Sequence, residues 1–186
     1  MADQSTLQII NQINSLLRTN PARCIILEGY SQGAAATVNA MLDITGAAFT
    51  AVKAVFLEGN PLHQSGLACN VDANGGTTTR NVRGISAGLG GGIPANWVSK
   101  TLDVCNYVSQ AFLWRRRRLI DVQGDGVCDT THGQGINAAH LAYPRSASVQ
   151  NLGTDFVVKA LQAGSAGGNT GGTPVPAECP YSKYDR

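Results

Sequence analysis

Gly29-Tyr30-Ser31-Gln32-Gly33 constrains this chain more than any other stretch, because of what stands on either side of it. Cys24-Ile25-Ile26-Leu27-Glu28 is a short apolar run of strand length and composition, and residues 34–42 are small, apolar and helix-compatible. A strand that turns into a helix across G-x-S-x-G lifts the serine hydroxyl clear of the sheet, where it can act as a nucleophile. Glycine is expected at both flanking positions, since a side chain would crowd the helix against the strand or block the turn's unusual backbone angles. The pattern alone arises by chance. The strand before it and the helix after it set a catalytic serine against the plainer reading of a Gly-rich β-α turn.

A serine nucleophile needs a base and a carboxylate to hold that base, and in a strand-turn-helix of this kind they follow in the order Ser, acid, His. The chain has three histidines. His63, after Asn60-Pro61, reads as a loop surface residue. His132 lies in the polar segment Thr131-His132-Gly133-Gln134-Gly135. His140 lies in Asn137-Ala138-Ala139-His140-Leu141-Ala142-Tyr143-Pro144, just before a helix-like segment. Upstream, Gly124-Asp125-Gly126-Val127-Cys128 offers a carboxylate in a turn beside a cysteine. Order alone leaves His132 and His140 both open.

Gly-Tyr-Ser-Gln-Gly at 29–33, Gly-Asp-Gly-Val-Cys at 124–128 and His-Leu-Ala-Tyr at 140–143, in that order, resemble the motifs of the fungal cutinases and their acetylxylan esterase relatives. Val55-Phe56-Leu57-Glu58-Gly59-Asn60-Pro61 matches a family strand ending in Gly-Asp-Pro or Gly-Asn-Pro, and the likeness extends over most of residues 6–162. Cys69-Asn70-Val71-Asp72 and the stretch from Trp97 to Cys105 are similar to the subgroup called cutinase-like enzymes. The resemblance implies Ser31 as nucleophile, Asp125 as acid and His140 as base, which demotes His132. It implies the backbone N–H of Gln32 as an oxyanion donor and a Cys105–Cys128 disulfide flanking Asp125. The implied fold is an α/β hydrolase of cutinase type, a central, mostly parallel sheet covered by helices in three layers. The implied protein is a secreted monomer, without metal or other cofactor, that hydrolyses cutin or short- to medium-chain esters. Acetylated xylan is the second substrate reading.

The residues themselves agree with one domain over 1–162. At 186 residues, 43% hydrophobic and 14% charged, the chain can bury a substantial core. No apolar run is long enough to span a membrane, and a net charge of +2 implies no acidic or nucleic-acid partner. No cluster of Cys, His and carboxylates has zinc-ligand spacing. Leu7, Ile9, Ile10, Ile13, Leu16 and Leu17 recur at helical spacing. Strand 24–29, helix 32–43, strand 51–58 and strand 101–107 follow. A last helix, capped by Ser146 or Ser148, carries Val149, Leu152, Phe156, Val157 and Leu161 on one stripe. Alternation of this kind implies a mostly parallel sheet. From Ala163 onward Gly, Ser, Thr and Pro dominate, so residues 163–186 read as a disordered tail.

Two features set the chain apart from the family pattern. A chain that opens on a helix and reaches its serine turn at residue 31 lacks the family's first strand and the loop that supplies a second oxyanion donor. Losing one such donor costs about 3–4 kcal/mol of transition-state stabilisation. With no signal-peptide pattern at Met1, the chain reads as N-terminally truncated, poorly soluble and weakly active as written. Five cysteines, an odd number, point the same way: Cys24 and Cys69 could pair with each other or with an absent segment, and Cys179 has no obvious mate. A silent scaffold or defective gene product is the reading from another class.

The second feature is residues 108–123, an atypical insertion containing Arg115-Arg116-Arg117-Arg118. A lone basic run is a weak nucleic-acid signal. These 16 codons read better as a translated intron: Val108-Ser109 can be encoded by a splice donor and Gln123 by an acceptor. Joining Tyr107 to Gly124 restores the family spacing around Asp125. Excision removes four arginines and one aspartate, taking the net charge from +2 to −1. With the insertion present, the register of Asp125 with His140 is placed in question.

Overall fold

The structure is a computed structural model and describes residues 4–107 and 124–165. The insertion 108–123, the tail from residue 166 onward and Cys179 lie outside the described residues.

Helix α1 spans Gln4–Thr19, and β1, Ile25–Tyr30, leads into α2, Gln32–Ala40. A short α3, Gly46–Ala51, precedes β2, Val52–Glu58. The two-residue β3, Asn70–Val71, and a 3-10 helix, Ala95–Lys100, come before β4, Thr101–Val104. A second 3-10 helix, His140–Arg145, leads into α4, Ala147–Ser165. The strands form one sheet in the order β1-β2-β4-β3, and every pairing is parallel. The expected mostly parallel sheet is therefore present.

Parallel strands covered on both faces are apolar along their whole length, because neither face meets water. β2 follows this rule from Ala54 to Leu57. Leu57 and Val55 pack with α1 and α2 through Ile13, Val38 and Met41, while Phe56 packs with Val149, Tyr143 and Leu102 on the α4 side. These two clusters are the two halves of a three-layer core. Each large apolar side chain buried this way contributes about 1.5–3 kcal/mol. In α1, Ile9, Ile10, Leu16 and Leu17 pack on the first cluster around Ile13, whereas Leu7 is exposed. Trp97 is fully buried and donates its indole N–H to Met41 O (3.1 Å), tying the first 3-10 helix to the end of α2.

Element bounds differ from the sequence reading where side chains take over backbone partners. β4 ends at Val104 rather than 107, because the N–H of Asn106 goes to the Tyr143 hydroxyl (2.8 Å). α2 ends at Ala40 and continues as turns to Asp43. Helix α4 runs through Ser165, three residues into the expected tail, and Ser146 Oγ accepts the N–H of Val149 (3.4 Å) as its cap.

Candidate active site

Ser31, after the last residue of β1, has φ 56° and ψ −118°, the only positive φ of a non-glycine residue among those described. Its N–H is tied to Glu58 O (2.9 Å), so the end of β2 holds the strained turn in place. A Cβ on Gly29 would lie 2.8 Å from Ala34 Cα, which explains the first glycine of the motif. Gly33 does not obey the expectation: a Cβ there meets nothing within 4 Å.

Asp125 and His140 come to the serine from the chain that follows β4. His140 Nε2 lies 3.0 Å from Ser31 Oγ, and its Nδ1 lies 2.9 Å from both Asp125 oxygens. A carboxylate only accepts, so Nδ1 carries the proton and Nε2 is left to accept from the serine hydroxyl. Asp125 and His140 are buried and Ser31 is half-buried. Asn137 Oδ1 accepts the His140 N–H (3.0 Å) while its Nδ2 donates to Gly124 O (2.9 Å), linking the histidine's turn to the acid's. Tyr30 stacks on the His140 ring (5.0 Å) and donates its hydroxyl to His140 O (2.8 Å).

The insertion does not disturb this register. Tyr107 and Gly124 face each other in an antiparallel bridge, and Asp125 N–H donates to Asn106 O (2.9 Å). Cys105 and Cys128 form the expected disulfide. Cys24 is also disulfide-bonded, whereas Cys69 is a free thiol, so these two do not pair with each other. Burial, together with the Asp103 charge, pushes the Cys69 thiol up to about 12 and leaves it unreactive.

The other two histidines lie outside this constellation. His132 pairs with buried Asp129 (Nδ1 to Oδ2, 2.7 Å), and its N–H also donates to Asp129 Oδ1 (3.1 Å). His63, expected on a loop surface, is fully buried. Its Nδ1 donates to Asp103 Oδ2 (2.9 Å) and its Nε2 to Thr79 O (3.1 Å). Burial opposes its charge, but the Asp103 carboxylate and the Thr79 carbonyl outweigh that and raise it above the ordinary histidine value. Asn60 Nδ2 donates to the same carboxylate oxygen (3.1 Å), so the pair anchors the Gly59–Pro61 turn beneath the site. No local sequence signal marks this partnership, because Asp103 lies 40 residues from His63.

Glu58 is a further titratable group beside the serine. Its carboxyl is buried, with Oε1 lacking a hydrogen-bond partner among the described residues. Burial, and then the charge of Glu28, push it up to about 7. A carboxyl raised in the fold stabilises below its unfolded value near 4.5, and that contribution is lost as pH climbs through 7. Glu58→Gln is therefore expected to raise the melting temperature by about 5 °C at pH 8 and to change it little at pH 5. Scanning calorimetry at the two pH values checks this; equal shifts at both would remove the charge from the explanation.

No group of three or more metal-ligating side chains occurs among the described residues, and no described helix is long and apolar enough to cross a membrane.

No curated protein sequence is significantly similar to the chain. Among solved structures, a cutinase-like protein from Cryptococcus sp. is 55% identical, with 83% of this chain and 69% of that chain covered, at a TM-score of 0.72. The catalytic core domain of an acetyl xylan esterase from Trichoderma reesei is 22% identical, covering 85% of this chain and 68% of that one, at a TM-score of 0.57. A second acetylxylan esterase structure is 21% identical over 84% and 69% of the two chains, also at 0.57. At such identities the likeness is one of fold. The cutinase family profile matches residues 1–161, and the chain accordingly belongs to the cutinase family of serine carboxylic-ester hydrolases.

Proposed function

We propose that Ser31, His140 and Asp125 act as the catalytic triad of this esterase, on esters with an apolar acyl chain. The observation that carries this reading is the unbroken line from Asp125 through His140 to Ser31, at 2.9 and 3.0 Å. His140 takes the proton as Ser31 Oγ attacks the ester carbonyl, and Asp125 holds the ring and offsets its charge. Gln32 is the first residue of α2, so its N–H has no intrahelical acceptor and can donate to the tetrahedral oxyanion. The intermediate collapses as His140 protonates the leaving alcohol. Water, deprotonated by the same imidazole, then releases the acid from the acyl-serine.

Two exposed apolar side chains support an apolar substrate. Leu141 directly follows His140, and Ile136 lies four residues before it. A cutin-type polyester or a short- to medium-chain ester suits exposed apolar side chains so near the base in sequence better than a polar polysaccharide carrying acetyl groups does. The Cys105–Cys128 disulfide fits a protein working in an oxidising, extracellular setting. A panel of p-nitrophenyl esters set against acetylated xylan is the test. Faster turnover of butyrate and hexanoate than of acetate is expected, and activity confined to acetyl groups would overturn the apolar reading in favour of acetylxylan.

A further inference from the structure

Tyr143 is fully buried and carries a hydroxyl where packing alone needs none. Its ring fills the cluster formed by Phe56, Val104 and Val149, a place phenylalanine would occupy without the cost of desolvating an oxygen. The hydroxyl is instead committed twice. It accepts the N–H of Asn106 (2.8 Å), which leaves its one proton for an acceptor, and the shortest partner is Asp125 Oδ2 at 2.7 Å. Val104 O, at 3.4 Å, is a far weaker competitor.

On the far side of the same carboxylate, Oδ1 accepts the N–H of Val127 (2.9 Å). Both oxygens are thus pinned, one by backbone and one by phenol, and the carboxylate presents them evenly to His140 Nδ1. We propose that Tyr143 is a positioning residue for Asp125: its hydroxyl fixes the carboxylate plane and draws charge from Oδ2, which sets how firmly His140 holds a proton. The inference rests on the triad reading above. Burial first, and then the Asp125 charge, push the phenol well above the ordinary tyrosine value, so it remains a donor.

The titratable groups facing this hydroxyl are Asp125, His140 (ring centroid 6.2 Å away), Tyr30 (5.7 Å) and, at longer range, Asp103. Removing the phenolic donor leaves Asp125 Oδ2 with only the shared imidazole proton. The carboxylate then turns more freely and binds that proton more strongly. Tyr143→Phe is expected to lower kcat by about 10- to 100-fold, with KM nearly unchanged. The acid limb of the kcat/KM profile should move up by about half a pH unit or more.

A fluorotyrosine at position 143 keeps the hydroxyl and makes the phenol a stronger donor, so the acid limb should move the other way, to lower pH. Opposite displacements by the two replacements are not available to a residue that only packs. An acid limb that stays put in both, or a fall in melting temperature with the pH profile unchanged, would overturn the proposal. If Tyr143→Phe does not fold, the fluorotyrosine profile decides alone. Ser31→Ala, run alongside, tests the triad itself: unchanged turnover there removes the reading beneath, whereas lost turnover with an unmoved Tyr143 profile removes only this inference.

Discussion

Ser31→Ala is expected to remove ester hydrolysis by about 10⁵- to 10⁶-fold in kcat, the size of effect seen when a triad nucleophile is deleted. The fold should persist. The unusual φ of 56° is already tolerated with a Cβ present, and the N–H to Glu58 O bond does not involve the side chain. The hydroxyl's partner is Nε2 of His140, whose ring is still held by Asp125 and whose backbone is held by Tyr30 and Asn137. Hydrolysis of p-nitrophenyl butyrate by the two proteins, with near-UV circular dichroism as the folding control, gives the ratio. The ratio is informative whatever the absolute rate of the parent chain. Residual turnover within tenfold of the parent would place the nucleophile elsewhere.

Gly59→Ala should cost about 100-fold in activity without replacing any member of the triad. Gly59 has φ 58°, a left-handed conformation that costs a residue with a Cβ about 1–2 kcal/mol. Its added methyl would stand 2.8 Å from Asp125 Oδ2 and His140 Cε1, and 2.9 Å from His140 Nδ1. The glycine is itself fixed, its N–H on Val104 O (3.0 Å) and the following turn held by Asn60 and the His63–Asp103 pair. The acid and the base are what must yield. A displacement approaching 1 Å at reacting groups can cost 100-fold, so kcat/KM should fall by about that much while the melting temperature drops by only about 3–8 °C. Activity within threefold of the parent would mean the turn can move after all.

The serine turn was legible because its signals are local: an apolar strand, a G-x-S-x-G and a run of small helix formers stand side by side. The order of Ser31, Asp125 and His140 and the stripe of α4 were legible for similar reasons. What escaped was long-range. His63 reads as a surface residue until Asp103, on β4, is seen to meet it, and nothing near Glu58 in sequence announces a buried carboxyl. Gly33 is under no steric demand from α2, whereas Gly59 is confined by Asp125 and His140, both distant in sequence. No local signal marks the role of Tyr143, because its hydroxyl's two partners are 37 and 18 residues away.

The bridge between Tyr107 and Gly124 bears on how far the chain can vary in length at that point. Tyr107 and Gly124 stand face to face, so a segment of any length between them would begin and end at the same place. Loop-closure cost rises by only about 0.6 kcal/mol for each doubling of length. Asp125, held by its own bonds to Asn106, Val127 and His140, is therefore expected to keep its place when that segment is shortened or lengthened. Variants that differ in that one segment are expected to share one catalytic geometry.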